Sequence, residues 1–212
     1  MDSMFSSLSI SDIITIIVSL LIAMACHEFM HAYVAHKLGD RLAYEEGRVS
    51  LNPLRHIDIF TTILLPFVMI IFGAPPIFAA KPVPFNAAEV KYGEYGIAIV
   101  GVVGPLTNLG LAILASLVLH IGGIATGLPV YQAITTFMAV NIGLFVFNMI
   151  PLPPLDGSRL LYAFAPDPLR RVMEQIEAFG FMALLLVLLL LFQFIGPIVN
   201  NISSEIFTLL LR

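Results

Sequence analysis

Ser19-Leu20-Leu21-Ile22-Ala23-Met24-Ala25-Cys26-His27-Glu28-Phe29-Met30-His31-Ala32-Tyr33-Val34-Ala35-His36-Lys37 is an apolar run that carries three ionisable side chains, His27, Glu28 and His31, in its interior. Outward from it, apolar residues begin at Ile10 and continue to about Leu38 without a proline, and Gly39-Asp40 supplies a stop. About 20 apolar residues let a helix cross the hydrocarbon core. Residues 10–38 therefore read as a spanning helix with a polar cluster near its C-terminal end. Met1 to Ser11 carries only Asp2, so this start lacks the basic region of a signal peptide and reads as retained.

Composition agrees with a lipid environment. Hydrophobic residues make up 59% and charged residues 11% of the 212, far from soluble globular usage. Residues 97–120, 131–150 and 178–195 are each apolar and near spanning length. The stretch 59–78 is shorter, contains Pro66 and passes through Gly73-Ala74-Pro75-Pro76, which predicts a re-entrant element. Gly47 to Leu51 alternates weakly before Asn52-Pro53, and Lys81-Pro82-Val83-Pro84 is held extended by its prolines. The expected fold is a membrane all-α, polytopic helical bundle. It has about four spanning helices plus the re-entrant element, with short membrane-surface β segments, in one integral-membrane domain over 1–212.

Lys37, Arg41, Arg48 and Arg55 follow the first span, and Arg159, Arg170 and Arg171 follow 131–150, which predicts cytosolic ends there and an N-terminus outside. The net charge of -4 is dispersed, with no basic run, so nucleic acid is excluded as a dedicated partner and the lipid bilayer is the expected surrounding. The one cysteine, Cys26, leaves no internal disulfide and no multi-cysteine metal site.

His27-Glu28-Phe29-Met30-His31 is an H-E-x-x-H motif, whose histidines lie one helical turn apart on one face and can reach one metal ion. Glu28 is rotated by about 100° from His27 and roughly 60° from His31, so it borders that face, as a base acting on metal-activated water must. Ionisable groups inside an apolar helix are costly in lipid and mark function. Hydrolytic zinc usually has three protein ligands and one open position. His36, His56 and His120 read as interfacial. Asp156 is better placed, at the cytosolic end of 131–150 behind prolines that release backbone carbonyls. The competing reading makes Asp156-Gly157 a turn and helix cap. Asn108, within Gly104-Pro105-Leu106-Thr107-Asn108, is expensive in lipid unless it bonds a helix, a substrate or water.

Together these residues resemble the site-2 protease family of intramembrane metalloproteases, in its short form without an added regulatory domain. The resemblance rests on His27 to His31, on Gly104 to Asn108, and on Asn148 through Pro153 to Leu155-Asp156-Gly157, in the family's order. Leu51-Asn52-Pro53-Leu54-Arg55-His56-Ile57-Asp58 and Lys81-Pro82-Val83-Pro84 add to it. It implies His27, His31 and Asp156 as ligands of one Zn2+ per chain and Glu28 as general base. Asn108 and Asn148 would be substrate-binding groups, Asn108 near the substrate backbone or the developing oxyanion. Met30 stands where the family frequently has Gly. The implied activity is zinc-dependent cleavage of transmembrane protein substrates near the cytosolic side of a prokaryotic cell membrane. An unwound substrate would pair with the extended segments near Val49 and Val83. The alternative from another class is a metal-ion or proton transporter using the same His and Asp groups; the apolar outer halves of the spans weigh against it. A catalytically silent scaffold weighs less, because every reactive group is intact.

Overall fold

The computed structural model of the chain describes residues 9–58, 62, 84–179 and 181–212, with the side chains of 181–192 outside that description. Helix α1, Ile10–Lys37, opens with a capping box. Ser9 Oγ accepts from the Asp12 N–H at 3.2 Å, and Asp12 Oδ2 accepts from the Ser9 N–H at 2.9 Å. His36 and Lys37 lie in its last turn, where positive charge complements the helix dipole. Gly39, at φ +115°, turns the chain out of it. A short helix α2, Leu42–Glu45, and 3-10 turns at Pro53–Arg55 and Ala87–Glu89 follow. Then come α3, Glu94–Ile121, α4, Pro129–Asn148, α5, Gly157–Phe164, α6, Asp167–Ala178, and α7, Phe181–Leu210.

Among the described residues, α1, α3 and α4 are long and apolar enough to cross a membrane. They match the expected spans 10–38, 97–120 and 131–150 within three residues. The fourth expected span, 178–195, has different bounds: Asp167–Ala178 closes as its own helix at Phe179, and α7 starts at Phe181. It continues through Pro197 to Leu210, well past the expected end at 195.

Helices α1 and α3 run antiparallel, with His31 opposite Val100 and Ala23 opposite Asn108. The Lys91 N–H donates to the Leu38 carbonyl at 2.8 Å, so the chain leaves α1 and approaches α3 at the same face. Asp40, fully buried, joins the two sides of that connection by accepting from the N–H groups of Leu42 and Asn86, both at 2.9 Å. The expected re-entrant element at 59–78 and the extended segment near Val83 lie outside the described residues.

Among the described residues there is no strand. Residues 47–51, expected as a short surface β segment, form an irregular loop whose Gly47 and Ser50 carbonyls are taken by side chains and whose Arg48 carbonyl accepts from the Ser50 N–H at 2.9 Å. Arg55 Nη1 donates to the Gly47 carbonyl at 2.6 Å and His56 Nε2 to the Ser50 carbonyl at 2.7 Å. The Arg48 guanidinium reaches back to the Arg55 carbonyl. These bonds satisfy backbone groups that a ladder would otherwise have to pair.

Helix α3 is central, packed against α1, α4 and α5, and α4 also packs against α7. Ala112 and Ala115 of α3 meet Met138, Ile142 and Val146 of α4, with Val199, Ile206 and Phe207 of α7 against them. Small residues on α3 allow this close approach, which van der Waals contact rather than water exclusion must drive in lipid. Ser116 Oγ donates to the Leu210 carbonyl at 2.5 Å, holding the end of α7 beside the far end of α3. Along α1, α3 and α4 at that far end runs an open groove of about 540 Å³, lined by residues such as Ile14, Val18, Ile22, Leu114, Val118 and Phe137.

Candidate metal centre

Helix α1 presents His27 and His31 on one face, both buried, where α3 crosses closest. Each imidazole is held through its Nδ1. His31 Nδ1 lies 2.6 Å from the Val100 carbonyl and His27 Nδ1 2.6 Å from Asn108 Oδ1. Both partners are oxygens that accept, so each Nδ1 carries its proton and donates, which leaves Nε2 as the ring atom whose lone pair is available to a metal. The two Nε2 atoms sit 2.9 Å apart.

Asp156 completes the group. It stands just before α5, and its side chain makes no cap bond to that helix. Oδ2 is instead 3.0 Å from His27 Nε2 and 3.3 Å from His31 Nε2. The helix-cap reading of Asp156-Gly157 is thus set aside by where the carboxylate points.

These three atoms fit a zinc ion. Two imidazole lone pairs and one carboxylate oxygen converge with edges of 2.9, 3.0 and 3.3 Å. A tetrahedral zinc with bonds of about 2.0–2.1 Å separates its ligand atoms by about 3.3 Å. Two facing lone pairs repel unless a cation or proton lies between them, and both nitrogens have already placed their protons on the opposite ring atom. A hydrogen-bond acceptor on the far ring nitrogen is the usual accompaniment of metal-binding histidine.

The space itself is made by glycine. A Cβ on Gly104 would come within 2.2 Å of His31 Nε2 and 2.8 Å of His27 Nε2. At Gly101 it would meet Arg159 Cβ at 2.5 Å and the Asp156 carbonyl at 3.0 Å, and at Gly157 the Met149 carbonyl at 2.4 Å. Gly101 and Gly104 lower one side of α3 so that α1 and the Asp156 loop can both reach it.

With this geometry established, comparison with known proteins is decisive. The chain is 36% identical over 181 residues to YwhC of Bacillus subtilis, named as a candidate zinc metalloprotease, covering 81% of this chain and 78% of that one. The chain belongs to this zinc metalloprotease family. Two further relatives named in the same way are Rip2 of Mycolicibacterium smegmatis, 24% identical over 83% of this chain and 67% of its own, and MJ0611 of Methanocaldococcus jannaschii, 31% identical over 64% and 62%. No family model matches the chain, and no solved structure does. Family and helices together make it a membrane metalloprotease, and the family implies zinc.

The remaining residues of interest divide. Glu28 is buried beside the two histidines in sequence, and among the described residues its carboxylate accepts no hydrogen bond. Asn108, expected near substrate, is fully buried with its amide committed inside the protein: Oδ1 to His27, Nδ2 to Asn141 Oδ1 at 3.0 Å and to the Ala23 carbonyl at 3.3 Å. Asn148, also expected near substrate, is half-buried at the end of α4, donating to the Leu144 carbonyl at 3.0 Å. His36 stacks on Tyr44, and His120 bonds its own helix at the Ser116 carbonyl. His56, expected as interfacial, is only 2% exposed. Asn141 was not singled out from sequence, although an asparagine inside an apolar span is the signal that would have marked it.

Proposed function

We propose that this chain is an intramembrane zinc endopeptidase of the site-2 protease type, which cleaves transmembrane segments of membrane-protein substrates near the cytosolic side. The observation that carries this reading is the convergence of His27 Nε2, His31 Nε2 and Asp156 Oδ2 within 3.3 Å of one another inside a bundle of membrane-length helices. In this reading those three residues hold one zinc ion per chain. When bound, zinc supplies Lewis acidity, polarising a peptide carbonyl and lowering the pKa of water toward about 7.

The protein's own groups do the rest. Glu28, buried and without a hydrogen-bond donor among the described residues, takes a proton from the attacking water and passes it to the leaving amine. Asn108 orients His27, and the Val100 carbonyl orients His31, so neither ring has to reorganise during turnover. Asn148, whose Oδ1 is uncommitted among the described residues, is in this reading a substrate-binding group. A helical substrate hides its carbonyls in its own hydrogen bonds and must unwind locally to be cut. His31 is six residues from the end of α1, roughly 9 Å along a helix, so only a short length needs to unwind. Basic residues Lys37, Arg41, Arg48 and Arg55 put that end on the cytosolic side and the N-terminus outside.

Zinc content and cleavage of a panel of single-span substrates, measured together on purified protein, test the reading. The expected result is about one zinc per chain and cleavage by wild type, with Glu28→Gln retaining zinc and losing cleavage. A wild type that binds no zinc overturns it, and so does full activity in Glu28→Gln.

A further inference from the structure

A line of buried amides runs from the metal centre into α4, and its polarity is set by two backbone carbonyls, which can only accept. Asn141 is fully buried. Its Nδ2 donates to the Phe137 carbonyl at 2.9 Å, which leaves its Oδ1 as the acceptor. That Oδ1 receives Asn108 Nδ2 at 3.0 Å, while the same Nδ2 lies 3.3 Å from the Ala23 carbonyl. With its donors facing two acceptors, Asn108 can offer only Oδ1 to His27 Nδ1, at 2.6 Å. His27 must then carry its proton on Nδ1 and keep the Nε2 lone pair free.

We infer that Asn141 is a positioning residue for the metal centre, fixing through Asn108 the tautomer in which His27 can bind zinc. This rests on the reading of His27 as a ligand. The Asn141 amide bonds Asn108 and the Phe137 carbonyl and none of the three metal-binding atoms; it lies on α4, and the relay crosses from α1 through α3 to α4. The chain of bonds is directional: backbone carbonyl, amide, amide, imidazole. Reversing either amide would set two acceptors against each other at an interior carbonyl, an arrangement that lipid offers no water to relieve. Loss of the Asn141 acceptor leaves the Asn108 amide held in this sense only by its longer, 3.3 Å bond to the Ala23 carbonyl, so the orientation that offers His27 a donor, moves the imidazole proton to Nε2 and blocks the metal becomes more populated.

The test uses the full chain in detergent and reads zinc affinity by competition with a chromophoric chelator. In parallel, 15N spectra of the histidine-labelled, zinc-free protein report the His27 tautomer, with His27 assigned through its loss in His27→Gln. The wild type should show His27 protonated on Nδ1. Asn141→Leu should weaken zinc binding about tenfold, the lower end for an outer-shell partner because it acts one bond further out. Asn141→Asp, as the uncharged acid, can accept from Asn108 and donate to the Phe137 carbonyl, so its zinc affinity should stay within about threefold of wild type. Ser116→Ala removes a different interhelical bond, at the Leu210 carbonyl, and should leave zinc affinity unchanged. Wild-type affinity in Asn141→Leu, an equal loss in Asn141→Asp or Ser116→Ala, or a wild-type His27 protonated on Nε2 would overturn the inference while leaving the metal centre standing. No zinc bound by wild type would remove the metal reading and this inference together. The tautomer spectrum of the wild type decides the matter even if Asn141→Leu does not fold.

Discussion

The same three helices build two unlike halves. Toward the Lys37 end of α1, the interior of the bundle contains His27, Glu28, His31, Asn108 and Asn141, all buried. Toward the Ile10 end, the helices form an open apolar groove lined by Ile14, Val18, Ile22, Leu114, Val118 and Phe137. In hydrocarbon, an apolar half needs only shape, so it can leave an open groove of about 540 Å³ facing its surroundings. A polar half must satisfy nearly every donor and acceptor internally, and its geometry is correspondingly over-determined. The difference teaches where precision resides: the far half holds the helices together, and the near half fixes individual atoms. It also bears on transport, which would call for polar groups in both halves.

The largest effects should fall on the near half and spare the fold. Asp156→Ala removes one of three converging donors, and zinc content should drop from about one per chain to near zero, with cleavage abolished. Glu28→Gln should keep the zinc and lower the single-turnover rate by about 10²–10⁴-fold, the span of general-base catalysis. A variant that lost both together would blur the division between holding the metal and moving the proton.

Two glycines on α3 sharpen the contrast. A Cβ at Gly104 collides with His31 Nε2 at 2.2 Å, whereas at Gly110 it meets nothing within 4 Å. Gly104→Ala should therefore cost as much zinc as loss of a ligand, read by metal analysis of the purified protein. Gly110→Ala should leave zinc unchanged and raise thermal stability by up to about 1 kcal/mol, because alanine is the better helix former. Equal outcomes at the two positions would show that the site is not shaped by that close approach. Below these in size comes Asn108→Leu, expected to weaken zinc binding about 10–100-fold through the loss of the His27 Nδ1 acceptor.

The same division decided what could be read from the sequence. Spans α1, α3 and α4 were legible because length and apolarity are one-dimensional properties, and the His27 to His31 spacing was legible because a helix converts it directly into a shared face. The convergence of Asp156 was legible only as a position at the right end of a span, since its approach depends on Gly101, Gly104 and Gly157 clearing space between distant segments. Residues 47–51 misled because weak alternation cannot reveal that Arg55 and His56 will take the Gly47 and Ser50 carbonyls. The fully buried Asn108 and Asn141 form a pair 33 positions apart, a contact that no local pattern encodes.

The smallest predicted effect tests the comparison from its quiet side. Ser116 Oγ donates to the Leu210 carbonyl across α3 and α7, a buried interhelical bond in the far half. Were every buried polar contact in this bundle equally consequential, Ser116→Ala would damage the enzyme as Asn108→Leu does. Interhelical hydrogen bonds in membranes average only about 0.6 kcal/mol, because the separated helices also find partners. Ser116→Ala should therefore lower unfolding free energy in mild denaturing detergent by about that amount and leave zinc affinity and cleavage rate where they were. The leverage of Asn108 comes from what its bond orients, a ring whose lone pair must face a metal, and Ser116 orients only a helix end. A loss of zinc in Ser116→Ala would mean that the two halves are mechanically coupled through α3, and the division between them would have to be given up.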